Sequence, residues 1–296
     1  MATPFVTASA TVQPPLLECV VNLSEGRDRP LLDRLAASCG DTLIDRHSDG
    51  DHHRSVFTLA GDGAVVEASA RALAGLAVEL IDLTSHEGVH PRFGAVDVVP
   101  FVPLGSGALE PAVAARDRFA DWAGRSLGLP CFLYGPLPGG DRTLPEVRRQ
   151  AFGPLLPDRG PPEPHPTAGA CAVGARRVLV AYNLYLEGAD GALARRVASS
   201  IRGPHVRALG LVARAAVQVS CNLIDPGVVG PGRLYDQVLA ALTGTGGRVA
   251  RAELVGLAPR SVLEAEPRAR WAALGLSAAA TIEARLPAGS AGAVKP

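Results

Sequence analysis

The chain has 296 residues, of which 47% are hydrophobic, and its 29 basic side chains balance its 29 acidic ones. The charges are interspersed, so no basic run predicts a nucleic-acid partner, and no apolar run is long enough to span a membrane. The N-terminus lacks the pattern of a signal peptide, and the five cysteines are odd in number and widely spaced, which disfavours disulfides and a zinc motif. We therefore expect a cytoplasmic protein with reduced, buried thiols.

The first half of the chain predicts the order strand, helix, strand, strand, helix, strand. The strands are short apolar runs, and the helices carry apolar residues three and four positions apart. Asp62 precedes the second helix, where its carboxylate can cap backbone N–H groups. The predicted strands are 16–22, 42–45, 56–60 and 95–102, followed by a helix at 109–127 and a strand at 131–134. This order is typical of a ferredoxin-like sheet with helices on one face.

A proline-rich stretch at 135–169, with one helical turn at 144–150, connects the two halves. It is either a passive linker or a stiff loop that lines a ligand site, since proline-rich segments lose little entropy on ordering. The same element order then returns, with strands predicted at 177–184, 205–213, 216–223 and 248–255.

The pattern therefore predicts an α/β (α+β) protein made of two ferredoxin-like βαββαβ subdomains. We expect the subdomains at 16–170 and 171–284, between disordered tails at 1–15 and 285–296. A ligand groove is expected between the two sheets, because domain interfaces are preferred ligand sites.

Residues 83–100 combine more titratable side chains with glycine and proline than any other stretch. His86 and His90 are four residues apart, but Gly88 and Pro91 disfavour the helix that a helical zinc motif needs. We interpret His90 as a general acid–base, because an imidazole that titrates near pH 6.5 can take and return a proton at neutral pH.

Other polar residues offer contacts to a charged ligand. Arg54 and Arg92 fit as carboxylate anchors, and a salt bridge at the surface or between the lobes is an equal alternative for each. His47, His52 and His53 are predicted to belong to a solvated, polar hairpin turn, an interpretation we favour for His52 above all.

Several motifs follow one another along the chain in a characteristic order. They include SHEGVHPRFGAVD at 85–97, and the others lie at 18–26, 45 with 54–56, 133–135, 142–145, 157–161, 174–176, 218–222 and 253–259. Together they resemble the glutamate formiminotransferases, the folate-dependent transferase portion of formiminotransferase–cyclodeaminase. The resemblance extends from about residue 17 to residue 276.

This resemblance implies transfer of a formimino group between N-formimino-L-glutamate and tetrahydrofolate, in histidine catabolism and one-carbon metabolism. It implies a homodimer with tetrahydrofolate as co-substrate and no metal, and it implies that His90 is the catalytic histidine. Folate binding is expected from Gly160, Pro161, Pro162, Glu163, Pro164, His165, Pro166, Thr167, Ala168 and Gly169. Substrate contacts are expected from Asn22, Ser24, Glu25, Asp45, Arg54, Arg92 and Arg268.

Two segments depart from the family pattern. Ala168 stands where a tryptophan is expected, which removes a possible stacking surface for the pterin. His47 and His53 stand where Asp and Asn are common. Two other functions therefore stay open: a non-catalytic folate or amino-acid sensor, and a metal-dependent hydrolase that uses His47, His53, His86 and His90.

Overall fold

The fold is described from a computed structural model, which covers residues 15–87, 92–105, 107–213 and 216–286. His90, the predicted catalytic residue, lies outside the described residues, as does most of each predicted tail. Over the described ranges, no helix has both the length and the apolar character needed to cross a membrane. The elements form a mixed α/β structure with one seven-stranded and one four-stranded sheet.

The first sheet has the strand order β2-β3-β1-β4-β7-β5-β6. Its strands are β1 (Leu16–Leu23), β2 (Leu43–Asp49), β3 (Arg54–Asp62), β4 (Val96–Pro103), β5 (Cys131–Leu137), β6 (Gly140–Arg142) and β7 (Cys171–Ala175). Strand β7 is parallel to β4 and β5, and the other pairs are antiparallel. One face packs against α1 (Arg29–Ala37), α2 (Gly63–Leu80) and α3 (Glu110–Ser126), and the opposite face packs against α4 (Leu144–Gln150).

The second sheet is antiparallel, with the strand order β11-β8-β10-β9. Its strands are β8 (Val180–Glu187), β9 (Val206–Ala213), β10 (Ala216–Leu223) and β11 (Arg248–Val255). The helices α5 (Gly191–Ile201) and α6 (Pro231–Leu242) share a core with one of its faces, and α7 (Arg260–Glu264) and α8 (Ile282–Arg285) follow.

The predicted element order is present in both halves, and the predicted cap is confirmed. The side chain of Asp62 accepts hydrogen bonds from the backbone N–H groups at the start of α2. All five cysteines are free and buried, also as predicted. Strand β7 is the main difference, because residues 171–175 were expected to begin the second lobe and instead complete the first sheet. Its sequence, CAVGA, has a single β-branched residue, so the pattern did not mark it as a strand.

The two halves meet through a small apolar core that includes Ile44 and Ala60 from the first half and Leu257 and Ile282 from the second. Leu286, inside the predicted C-terminal tail, is buried in the same core. This core joins the first sheet, on the face opposite its three long helices, to the C-terminal segments.

A buried carboxylate lies near this contact between the halves. Glu18, on β1, is 4% exposed. Burial raises its pKa to about 7, although the Arg176 guanidinium opposes the shift. Glu18 is therefore partly protonated at neutral pH, because the loss of water on burial outweighs the attraction of the Arg176 charge.

Candidate functional site

The site is built around Asp97, a fully buried carboxylate at the start of β4. Its Oδ2 accepts from Arg54 Nη1 at 2.5 Å and from Arg148 Nη2 at 2.6 Å, and its Oδ1 accepts from the Phe93 backbone N–H at 2.5 Å. Burial alone would raise the pKa of Asp97, but the two guanidinium groups hold it below its usual value. Asp97 is therefore an anion at neutral pH that orients two guanidinium groups.

Arg54 is fixed from a second direction by Asn22 on β1. The Asn22 Oδ1 accepts from Arg54 Nε at 3.2 Å and from Nη2 at 2.8 Å. The nearby Arg92 has its pKa lowered, first by burial and then by the charges of Arg54 and Arg27, against the attraction of Asp97. These side chains form what we call the arginine cluster: Arg27, Arg54, Arg92 and Arg148. Two of these guanidinium groups bind the buried Asp97, and the charges of the other two add to theirs. The resulting excess of positive charge fits a ligand with carboxylate groups.

Ser24 and Glu25, at the end of β1, already bind other parts of the chain. The buried Ser24 donates its hydroxyl to the Gly94 carbonyl at 2.8 Å. The Glu25 Oε1 accepts from three consecutive backbone N–H groups, those of residues 26–28, at 2.7, 2.6 and 2.9 Å. Burial would raise the pKa of Glu25, but these N–H groups and His53 lower it. Both side chains therefore shape the turn that follows β1.

His53 and His86 stack face to face, with ring centroids 3.8 Å apart and planes 18° from parallel. His53 Nδ1 is 2.8 Å from the Glu87 carbonyl oxygen, and its Nε2 is 3.1 Å from Glu25 Oε1. Since both oxygens only accept, both bonds form together only when each ring nitrogen carries a hydrogen. Among the described residues, neither ring nitrogen of His86 has a hydrogen-bond partner, although both nitrogens are buried.

This stacking bears on the metal alternative. In-plane lone pairs on near-parallel rings do not converge on one point, whereas imidazole ligands direct theirs at a shared metal. No group of three metal-ligating side chains occurs among the residues that the structure describes, a set that excludes His90. His47, the fourth member of that alternative, lies on β2 in register with Val56.

His52 lies in the predicted turn, but the prediction that it is solvated is wrong. Its side chain is only 13% exposed, and its Nδ1 is 3.2 Å from Asp49 Oδ2. Its Nε2 lies 3.2 Å from the side-chain nitrogen of Gln218, a buried residue of β10. Because the Gln218 amide donates to Nε2, the ring hydrogen is on Nδ1 and is donated to Asp49. The composition of the turn gave no sign that the second sheet would cover it.

The segment expected to bind folate contacts residues that precede and follow residues 88–91 in the chain. Residues 160–164 are exposed, and His165 and Gly169 then close a tight turn through two mutual backbone bonds of 2.8 and 3.0 Å. The carbonyl of Thr167 accepts from Leu83 N at 2.8 Å, and the carbonyl of Ala168 accepts from Ala95 N at 2.9 Å. This segment is therefore hydrogen-bonded to both flanks of residues 88–91.

Ala168 does not contribute its side chain to a ligand surface, because that side chain is fully buried in the core beneath the helices. Two other predicted residues lie apart from the arginine cluster. Asp45 is on β2 in register with Thr58, and the guanidinium of Arg268 lies 4.0 Å from the centre of the Trp271 ring. Within the described chain, no hydrogen bond or ion pair joins either one to the cluster.

Sequence reasoning missed Arg148, which the structure brings to Asp97. The available signal was the motif at 142–145. Thr143 and Glu146 form a capping box that starts α4, with Pro145 in its first turn, and Arg148 follows on that helix. A helix start was thus visible, but its position against β4 was not.

Comparison with known proteins places this geometry in context. A family model described as the formiminotransferase domain, N-terminal subdomain, matches residues 16–176. A glutamate formimidoyltransferase from Streptococcus pyogenes serotype M1 is 36% identical over 270 residues, which cover 84% of this chain and 90% of that protein. One from Thermoplasma acidophilum is 34% identical over 271 residues, covering 84% and 89%. The formimidoyltransferase-cyclodeaminase of Gallus gallus is 33% identical over 276 residues, covering 84% of this chain and 51% of that protein.

Proposed function

The chain belongs to the formiminotransferase family and is a folate-dependent transferase, and on that premise we propose that it moves a formimino group between N-formimino-L-glutamate and tetrahydrofolate, with His90 as general acid–base. The observation that carries the proposal is the arginine cluster around the buried Asp97. This cluster directly flanks the segment that contains His90, because Phe93 donates its backbone N–H to Asp97.

In the reaction, His90 takes the proton from the attacking N5–H of tetrahydrofolate as that nitrogen bonds to the formimino carbon. The tetrahedral intermediate then breaks its bond to the glutamate nitrogen, which receives the same proton from the imidazole. One C–N bond forms and one breaks, so the exchange needs no water, oxidant or reductant. General acid–base catalysis of this kind typically contributes about 10²- to 10⁴-fold.

The arginine cluster holds the carboxylates of the glutamate moiety. A guanidinium binds a carboxylate through two parallel N–H bonds, and that geometry fixes orientation as well as charge. Asp97 and Asn22 hold Arg54 in place before the substrate arrives. The bound carboxylates would set the formimino carbon near His90, because effective catalysis requires reacting atoms at about 3–3.5 Å.

The two sheets form ferredoxin-like subdomains, with the folate in a groove between them. Support comes from the element order, which is the same in both halves, and from the contact between His52 and Gln218. The pairing of β7 with the first sheet and the family match to residues 16–176 favour a boundary after β7. The homodimer and the cytoplasmic location stay predictions.

Turnover of N-formimino-L-glutamate with tetrahydrofolate tests the function. Purified protein is assayed in EDTA, and 5-formiminotetrahydrofolate is measured. Product would support the transferase and exclude a metal requirement. Tetrahydrofolate binding without product would favour the sensor module, and activity that is lost in EDTA and restored by zinc would favour the metal-dependent hydrolase.

A further inference from the structure

We propose that His53 is a positioning residue, which holds the loop carrying His90 by bridging the turn after β1 and residues 86–87. The parts of this histidine clamp are Glu25, His53, the His86 ring and the Glu87 carbonyl. The inference rests on the proposed role of His90, and it assigns His53 no contact with substrate.

The backbone brings His53 to this place. Its φ of 50° lies in the left-handed region, which few non-glycine residues adopt and in which His, Asn and Asp are enriched. The turn after β1 presses against the same hairpin, because a Cβ on Gly26 would overlap the Asp49 carbonyl oxygen and the Arg54 backbone nitrogen. Glu25 and His53 are therefore brought together by direct backbone packing between two turns.

The clamp starts from a rigid anchor. Glu25 Oε1 is already held by three backbone N–H groups, so the carboxylate that faces His53 Nε2 has a fixed position. From there a single ring reaches the Glu87 carbonyl through Nδ1. One side chain thus links the end of β1 to the residue directly before residues 88–91.

The His86 ring depends on the same partner. Its two buried nitrogens make no hydrogen bond to any residue that the structure describes, and leaving a buried polar group unpaired costs about 1–3 kcal/mol. Native structures hold few such groups, and each calls for an explanation. The stack on His53 supplies one, because the ring is held by its face and not by its nitrogens.

The other flank of the loop is held independently. The Phe93 N–H binds Asp97, and the Gly94 carbonyl accepts from Ser24. Arg92 Nη1 lies 3.5 Å from the carbonyl oxygen of His86. Asp97 therefore holds the C-terminal flank and His53 the N-terminal one, and loss of His53 would release one end. A displacement of about 1 Å at a reacting group can cost about 10²-fold in rate.

His53→Asn is the direct test, because Asn also tolerates a positive φ but has no ring to stack or to reach both acceptors. His205→Asn is the matched control, since the His205 side chain is 40% exposed and outside the clamp. Hydrogen exchange of the peptide at 83–95 reports the clamp in the free protein. In His53→Asn we expect faster exchange of this peptide and a fall in kcat of about tenfold or more, with KM values for both substrates within about twofold of wild type. In His205→Asn we expect no change in exchange, kcat or KM.

Glu25→Gln opens the clamp from its other end, because it keeps an oxygen for the backbone N–H groups but loses the charge that faces His53. This variant should show the same local increase in hydrogen exchange. If His53→Asn does not fold, the exchange of Glu25→Gln tests the clamp in its place. Unchanged exchange in the folded variants would overturn the clamp, and faster exchange with unchanged kcat would overturn its positioning role. Failure of the wild-type protein to turn over would count against the proposed function alone, since hydrogen exchange tests the clamp without substrate.

Discussion

Asn22 and Asn183 lie on the first strand of the two repeated element orders, within similar local sequences, and their surroundings differ. Asn22 accepts from Arg54, which in turn binds the fully buried Asp97. Asn183 lies 3.5 Å from Glu253, a carboxylate whose side chain is 26% exposed and which accepts from the Tyr185 hydroxyl at 2.7 Å. The two halves therefore share an element order but differ in the side chains that surround these two asparagines.

The difference is one of pairing and burial. Two guanidinium groups lower the pKa of Asp97 in spite of complete burial. At the second sheet, burial and the adjacent Glu253 raise the pKa of Tyr185 to about 12, so this carboxylate acts mainly on a neutral phenol. A carboxylate that orients two cations organises an anion site, and one that accepts from a tyrosine does not.

Asp97→Ala should have the largest effect, because it removes the buried carboxylate that binds two guanidinium groups and a backbone N–H. Breaking a buried ion pair by removing one partner costs about 3–5 kcal/mol, so the urea midpoint should fall clearly. Turnover should fall by about 100-fold or more as Arg54 loses its orientation. Wild-type stability in this variant would show that Asp97 does not hold the cluster together.

The pKa of Asp97 gives this test a pH dependence. Because the folded-state pKa lies below the ordinary aspartate value of 3.8, the stabilisation is present above about pH 4 and is lost as the pH falls through the folded-state pKa. The difference in free energy of unfolding between wild type and Asp97→Asn should therefore shrink on acidification. A difference that stayed constant down to low pH would contradict the assignment.

Glu18→Gln should have the next largest effect on the free energy of unfolding, and this variant should be more stable than wild type. The folded-state pKa of Glu18 is raised from 4.5 to about 7, so wild-type stability is lost as the pH rises through that window. At one pKa unit per 1.36 kcal/mol, the variant should be more stable above neutral pH by up to about 3 kcal/mol. Thermal or urea unfolding at several pH values measures this difference in stability, and the two proteins should become equally stable near pH 4.

Arg148→Ala should raise the KM for N-formimino-L-glutamate by about tenfold, in line with the roughly 1.5–3 kcal/mol of a hydrogen bond to a charged group. Arg149→Ala is the matched control, because Arg149 is the exposed neighbour on the same helix. Steady-state kinetics of both variants, with each substrate varied in turn, measures the KM for each substrate. Equal KM values in Arg148→Ala and Arg149→Ala would show that Arg148 does not bind the substrate.

Glu253→Gln should have the smallest effect, since it removes a charge from a partly exposed side chain near Arg251 at 3.6 Å. Pairs of this kind contribute about 0–1 kcal/mol, and Gln keeps an acceptor for the Tyr185 hydroxyl. Stability and turnover measured beside Asp97→Ala would test the comparison. A loss as large as that of Asp97→Ala would mean that the second sheet shares the chemistry.

Local patterns predicted much of the fold. Apolar spacing and capping residues such as Asp62 placed the helices, because these signals act within a few residues. The site was predicted less completely, because its contacts join distant parts of the chain. Arg148 and Asp97 are 51 residues apart, and His52 and Gln218 are 166 apart, so no local signal pairs them. For Arg54, local chemistry left a ligand anchor and a salt bridge equally open, and the structure shows that it pairs with the buried Asp97.

The most direct test of the account is kcat of His90→Ala, measured together with its affinity for tetrahydrofolate. The arginine cluster is intact in this variant, so the account predicts folate binding within about threefold of wild type and a kcat lower by about 10²- to 10⁴-fold. An unchanged kcat would contradict the account, because proton transfer would then belong to another group.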